Sequence, residues 1–117
     1  NVEWRGFLPT NEFQEELGQC RALINTPKWN EAYGNVVVEA MACGVPVISY
    51  NIGGPGELIK NGFNGFLVEP NDIDALTKAT KKISDIKRKN CRDWFKKNAT
   101  NIVFAERVEN WLNNELN

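Results

Sequence analysis

NEAYGNVVVEAMACGVPVI, residues 30–48, is the stretch that decides the fold. Propensity alone is ambiguous here, because Val36–Val38 favour a strand whereas Glu39–Ala42 favour a helix. One helical stripe would carry four apolar side chains: Val36, Val37, Ala40 and Met41. Gly44 is a typical residue at a helix end. We therefore predict a helix between Gly34 and Gly44, followed by a buried strand over 45–50.

Short apolar runs on either side of this helix predict further strands. Residues 22–25 are typical of a buried parallel strand, residues 66–68 predict a last short strand, and residues 2–5 predict a short strand near the start of the chain. Thr10 resembles the N-cap of a helix whose apolar face has three members: Phe13, Leu17 and Cys20. Pro55 suits the first turn of a short helix that runs to Lys60.

From Asn71 onward the pattern is helical, with apolar residues at a period near 3.6. Strands that alternate with helices over short connections predict a parallel sheet with right-handed crossovers. The fold class is therefore α/β: a Rossmann-like open parallel sheet with a C-terminal helical tail. We expect a single domain over 1–117, with the sheet in 1–70 and the tail in 71–117.

Composition excludes several classes of function. A net charge of −1 gives no electrostatic case for nucleic acid or an anionic membrane as the main partner. We interpret the basic cluster at 78–89 as a solvated helical face, because aspartates interleave with it. The chain has no histidine, which removes the common nucleophilic triads, and its three widely spaced cysteines fit reduced thiols in the cytoplasm.

Two glycine-rich turns carry the candidate chemistry. In an open parallel sheet, ligands bind at the carboxyl ends of the strands, near helix N-termini. The amides of Gly34, Asn35 and Val36 would begin a helix there, which suits a phosphate group. The second turn, residues 51–57, is of the same kind. Each turn alone is more often a plain chain reversal.

Two carboxylates flank the first turn. Glu31 precedes the predicted helix and Glu39 lies about one turn inside it. Carboxylates bind phosphate poorly but accept hydrogen bonds well from sugar hydroxyls. A phosphate with a hydroxyl-rich ring on each side describes a nucleoside diphosphate sugar. Alternatively, both glutamates are ordinary solvated charges.

The stretch 30–48 strongly resembles the C-terminal domain of glycosyltransferase family 4 (group 1), a family with the two-domain GT-B architecture. So do Gly53–Glu57, Asn61–Gly62 and Gly65–Pro70, in the same order. The family's two glutamates, separated by seven intervening residues, match Glu31 and Glu39, while Ala32 and Tyr33 depart mildly from its Glu-Gly-Phe-Gly motif. Trp29, residues 43–46 and residues 53–55 also resemble, loosely, the glucosyltransferases that act on tetrahydrobiopterin.

The resemblance implies a role for each matching position. Glu31 would hold donor-sugar hydroxyls and support charge at the anomeric centre, and Glu39 would hold the ribose. Backbone amides around Ala32, Tyr33, Gly34 and Asn35 would hold the diphosphate. Phe7 would line the base pocket, and the turn at Gly53 and Gly54 would form the floor of the site. Glu57 would brace that turn without touching substrate.

The same resemblance implies a retaining transfer of a hexose from a nucleotide sugar, of UDP-glucose type, to an acceptor hydroxyl, without a cofactor or a metal. Asp72 and Asp74 have the spacing of a metal clasp, but helix capping explains them better. The family's diphosphate-binding arginine and lysine, and its acceptor-binding N-terminal domain, would lie upstream of this chain. The isolated chain should therefore bind donor weakly and not turn over.

Two other functions stay open: a non-catalytic nucleotide- or phosphate-binding module on the same scaffold, and a sugar-nucleotide epimerase or phosphorylase. Glu31 and Glu39 favour the transferase, since a bare phosphate site needs no flanking carboxylates. The final helix should expose Trp111, Leu112 and Leu116, and the sheet edge should be open, so we expect self-association. Peripheral membrane contact of the full-length enzyme also stays open.

Overall fold

The computed structural model describes residues 2–116. A parallel three-stranded sheet, ordered β1-β2-β3, lies at its centre. The elements in chain order are α1 (Thr10–Gly18), β1 (Leu23–Asn25), α2 (Asn35–Ala42), β2 (Val47–Tyr50), α3 (Pro55–Leu58), β3 (Gly65–Val68), α4 (Ile73–Lys82), a 3-10 turn (Ile83–Asp85), α5 (Arg88–Asn98) and α6 (Asn101–Leu116). The predicted α/β class and open parallel sheet are confirmed.

The core forms around β2, whose four residues are all buried. In β2, Val47 pairs with Leu23 of β1 on one side and with Gly65 of β3 on the other. The predicted stripe on α2 is largely correct: Val37, Ala40 and Met41 are buried, and Val36 is partly buried. The helical alternative for residues 34–44 is thus the right one, because this stripe can cover the sheet.

Three predictions at the start of the chain are wrong. Residues 2–5 form no strand, and Trp4 is 91% exposed; an isolated segment without a neighbouring strand cannot satisfy its backbone. Arg5 instead ties this coil to α1 by an ion pair with Glu16 at 2.8 Å. Thr10 is the first helical residue and not the N-cap, which is Pro9. Cys20 lies beyond the end of α1 and is exposed.

The predicted burial of β1 is also wrong, although its parallel pairing is correct. Ile24, its central residue, is 51% exposed, because β1 pairs only with β2 and forms an edge of the sheet. At the other end of the chain, α4 begins as expected: the Asp72 carboxylate accepts a hydrogen bond from the Ala75 amide at 3.0 Å. The capping interpretation of Asp72 is confirmed.

The final helix leaves much of its apolar surface uncovered. Trp111 is 60% exposed and Leu112 43% exposed, as expected for this element; the Leu116 side chain lies outside the described residues. All three cysteines are free. Within residues 2–116, no helix combines the length and the apolar character needed to cross a bilayer.

Candidate functional site

The loop after β1 ends in a glycine with a positive φ at the start of α2. Gly34 adopts φ +97°, a left-handed conformation that glycine tolerates best. Its carbonyl accepts hydrogen bonds from the amides of Val37, at 3.0 Å, and Val38, at 3.3 Å. For the amides of Gly34, Asn35 and Val36, the described part of the chain supplies no backbone acceptor, and no side chain caps the helix.

These three donors therefore remain available at the positive end of the α2 dipole. An anion is the group that such an end stabilises best, since each N–H can donate to it and the aligned peptide dipoles add to the attraction. The site predicted at Gly34 and Asn35 thus has the backbone chemistry that a phosphate needs.

The two glycine-rich turns, which the sequence presents separately, form one unit. The Gly54 amide donates to the Glu31 carbonyl at 2.7 Å. A Cβ atom on Gly53, whose φ is +65°, would collide with that same carbonyl, and one on Gly54 would collide with the Tyr33 carbonyl. Only glycine allows this backbone-on-backbone contact. The second turn therefore fixes the position of the loop that carries Glu31, Ala32 and Tyr33.

The helix that follows the second turn, α3, packs against the same loop. Pro55, the first residue of α3, is buried, and its ring approaches Gly34: a Cβ there would lie 3.1 Å from Pro55 Cγ. We call the combined backbone of residues 31–36 and 53–54 the donor cradle. Its shape is set by packing rather than by side-chain hydrogen bonds.

The two predicted carboxylates lie on either side of the Gly34 turn along the chain. Glu31 is half-buried in the loop; Glu39 is half-buried on α2, away from the stripe of α2 that faces the core. Neither side chain forms an ion pair with the part of the chain that the structure describes. Both carboxylates keep their hydrogen-bonding capacity for another partner.

The remaining predicted site residues lie on the surface of the protein, and not all of them lie in the cradle. Ala32 and Tyr33 are exposed on the cradle loop. Phe7 lies in the N-terminal coil and is 94% exposed, so its role in a base pocket stays a prediction. Glu57 is exposed on α3, and its proposed bracing role likewise stays a prediction.

A cavity of about 520 Å³ opens beside Tyr33, and no sequence motif predicts it. It is lined by Tyr33, Val38, Asn98, Ala99, Asn101, Phe104 and Arg107. Arg107 is held there by hydrogen bonds to the backbone and side-chain oxygens of Asn98, at 3.0 and 3.2 Å. Arg107 is thus a cation close to the cradle loop, although more than seventy positions separate it from Tyr33, and no local motif marks it.

A second cavity, of about 320 Å³, lies at the carboxyl edge of the sheet. Its lining comes from the segments that follow all three strands: Thr26, Pro27, Lys28, Tyr50, Ile52, Pro70 and Asn71. Asn71 has a positive φ of 66°. This is the edge at which ligands bind in open parallel sheets, and it belongs to the same face of the molecule as the cradle loop.

Comparison with known proteins identifies the family to which this chain is similar. Residues 1–102 match the family described as "Glycosyl transferases group 1". The chain is 34% identical over 97 residues to a sucrose synthase of Acidithiobacillus caldus. The aligned region covers 80% of this chain and 12% of that protein. It spans only part of its curated relatives: 21% of the length of a glycosyltransferase of Methanocaldococcus jannaschii and 7% of a sucrose synthase of Solanum tuberosum.

Solved structures share its fold. A lipopolysaccharide outer core galactosyltransferase in its apo form aligns with a TM-score of 0.84 at 22% identity, over 97% of this chain and 33% of that one. An Anabaena protein solved in complex with UDP aligns with a TM-score of 0.72 at 24% identity, over 86% of this chain and 29% of that one. Both alignments include most of the chain and not only the residues of the cradle.

Proposed function

This chain belongs to the group 1 glycosyl transferases, and we propose that it is the donor-binding half of a retaining, metal-independent enzyme. That enzyme moves a hexose from a nucleoside diphosphate sugar, of UDP-glucose type, to an acceptor hydroxyl. A separate domain binds the acceptor, and the enzyme works in the cytoplasm. Free cysteines support that compartment, and cell fractionation tests it.

The observation that carries this proposal is the donor cradle: unpaired amides at the start of α2, fixed in place by the contact of Gly53 and Gly54 with the loop at Glu31. Departure of a nucleoside diphosphate builds negative charge on its phosphate oxygens. Fixed main-chain donors stabilise that charge without reorganising, which is an electrostatic task that needs no metal. The relative solved with UDP, and in another structure with UDP-glucose, supports the choice of donor.

In this proposal the two glutamates take different partners. Glu31 accepts hydrogen bonds from donor-sugar hydroxyls and supports the positive charge that develops at the anomeric carbon. Glu39, one turn into α2, accepts hydrogen bonds from the ribose. The acceptor hydroxyl attacks on the face from which the diphosphate leaves, so the configuration at the anomeric carbon is kept. NMR of the anomeric proton in the first product tests retention, and assay in EDTA tests metal independence.

The second candidate is a non-catalytic phosphate- or nucleotide-binding module on the same scaffold, and the unpaired amides alone would suit it. The two carboxylates distinguish the functions, because a module that holds only an anion gains nothing from acids beside it. Calorimetry of the full-length protein with a panel of nucleotide sugars, and with the matching free nucleotides, separates them. Activity assays that screen acceptors should include a pterin, because of the loose resemblance to the tetrahydrobiopterin glucosyltransferases.

We expect Glu39→Gln to weaken binding of the preferred nucleotide sugar by about tenfold, the usual effect of losing a charged hydrogen-bond acceptor. Glu31→Gln should lower turnover far more than donor affinity. Glu15→Gln is the matched control, since Glu15 is an exposed glutamate on α1, outside the cradle. If both site variants behave like this control, the transferase assignment of these residues fails.

A further inference from the structure

The charge of this chain is strongly segregated. Residues 78–97 contain nine lysines and arginines against two aspartates, a local net charge of +7 in a chain whose total is −1. The rest of the protein is correspondingly acidic. Interleaved aspartates therefore do not neutralise this segment, and the interpretation of it as an ordinary solvated face leaves most of its charge unexplained.

The fold gathers one end of this basic segment at the amino edge of the sheet, where the three strands begin. A cavity of about 360 Å³ there is lined by Arg21, which precedes β1, by Pro46, which precedes β2, and by residues of the link from α4 to α5 (Ile83, Ser84, Ile86 and Arg88). We call Arg21, Lys81, Lys82, Lys87, Lys89 and Phe63 the amino-edge surface. Its five cationic side chains are exposed.

Helix stability accounts for only part of this arrangement. Lys81 and Lys82 lie in the last turn of α4, where cations complement the helix dipole. Lys87 is the N-cap of α5, and Lys89 is in its first turn, which contains no acidic residue. Cations at that end oppose the dipole and weaken the helix. Such an arrangement is expected where an external anion compensates for it.

Arg88, which lies between Lys87 and Lys89 in the sequence, has a structural role. Its guanidinium donates to the Cys20 carbonyl at 2.7 Å and also to the Gly18 carbonyl, and so joins α5 to the end of α1. Lys89 pairs with Asp93 at 2.7 Å, although both side chains are largely exposed. Lys87 forms no ion pair within the described residues. Arg21 likewise forms no ion pair within these residues.

An aromatic residue lies close to the first turn of α5, and it lines a cavity together with Lys60, Asp93 and Lys97. Phe63, in the loop that leads into β3, is 40% exposed. Its carbonyl accepts a hydrogen bond from the Asn90 side chain at 3.3 Å, which holds the loop against the first half of α5. A cationic surface with an exposed aromatic residue is the composition of proteins that rest in the headgroup region of a bilayer.

We propose that the amino-edge surface docks peripherally on a bilayer rich in anionic phospholipid. Single-stranded nucleic acid fits less well, because such sites combine a basic groove with several stacking aromatic rings, whereas this surface offers one. The donor cradle lies at the opposite end of α2, whose C-terminal Ala42 carbonyl accepts a hydrogen bond from Arg92 of α5 at 2.6 Å. Docking therefore leaves the cradle open to solvent.

Cosedimentation of the purified chain with lipid vesicles tests this proposal, which does not depend on the donor site. We expect binding to phosphatidylcholine vesicles that contain phosphatidylglycerol, no binding to phosphatidylcholine alone, and weaker binding as salt is raised. Lys87→Glu should weaken vesicle binding by about tenfold or more, since each basic residue near an anionic surface contributes substantially to affinity. Phe63→Ala should weaken it to a smaller extent.

Lys28→Glu is the matched control: it makes the same change of charge at an exposed lysine on the carboxyl edge. Circular dichroism confirms that each variant folds, and an acidic residue at the start of α5 should favour that helix. Equal losses for Lys28→Glu and Lys87→Glu would overturn the proposal, as would absence of binding to the anionic vesicles. Binding of a single-stranded oligonucleotide in place of vesicles would overturn it too.

Discussion

At the scale of single residues, the site depends on glycines more than on charged side chains. Both glycine-rich turns are visible in the sequence, but only as two separate motifs. Their direct contact, in which the Gly54 amide donates to the Glu31 carbonyl, could not be predicted, because residues that are 23 positions apart in the sequence meet only once β1 and β2 have paired. The glutamates were found from their spacing and the family resemblance.

Replacement of Gly54 by alanine should disrupt the cradle. The new methyl group would collide with the Tyr33 backbone, so either the loop moves or the fold loses about 2 kcal/mol or more of stability. Urea denaturation measures this loss. Gly18→Ala is the control: nothing lies within 4 Å of its added Cβ, and alanine in place of glycine in a helix should be neutral or stabilising by up to about 1 kcal/mol. Equal effects of the two substitutions would refute the close contact at Gly54.

Among the helices and strands, the correct predictions are those that depend on local sequence alone. The α2 stripe, β2 and the Asp72 cap of α4 follow from local sequence, and the structure has each of them. The strand predicted at 2–5 failed because strand formation requires a partner strand, which local sequence does not reveal. The α5–α6 junction beside Tyr33 was missed for a similar reason: its position depends on how α5 packs against α2.

The packing of α5 makes the protein's stability depend on pH. Cys91 is fully buried on this helix, and desolvation, partly offset by the charge of Arg88, raises the pKa of its thiol from 9.0 to about 11. The folded state thus keeps a proton that the unfolded chain loses above about pH 9. Stability from this group is complete below that pH and is lost as pH rises toward 11.

We expect the free energy of unfolding to fall by roughly 1–2 kcal/mol more between pH 9 and 11 in the native protein than in Cys91→Ala. Chemical denaturation across that range measures the difference. Comparison with the variant removes the contribution of every group other than Cys91. Parallel curves for the two proteins would show that Cys91 does not titrate as its burial implies.

At the scale of the whole molecule, opposite ends of the sheet have opposite characters. The carboxyl edge holds the donor cradle, with Glu31 and Glu39; the amino edge carries the cations proposed to meet phospholipid. The molecule is elongated, 56 × 31 × 27 Å, and α6 presents exposed apolar residues along its length, among them Ile102, Phe104 and Trp111. Surfaces of this kind mark contact with another protein surface.

The isolated chain should therefore self-associate through α6. Sedimentation velocity over a range of concentrations should show a rise in mean mass, and Trp111→Glu should reduce it by placing a charge in the apolar surface. Ile73→Glu is a suitable control, since Ile73 is an exposed isoleucine on a different helix, 62% exposed. A clean monomer at high concentration would contradict self-association.

Chemical-shift mapping of the ¹⁵N-labelled chain with UDP-glucose tests the donor cradle most directly, because it detects weak binding and reports on each amide separately. The largest changes should fall on Gly34, Asn35 and Val36, whose amides have no partner among residues 2–116, with smaller ones at Gly53 and Gly54. Inorganic phosphate should move the first three and spare the two glycines. If saturating donor leaves those three amides unmoved, or shifts another surface instead, the cradle is not the donor site.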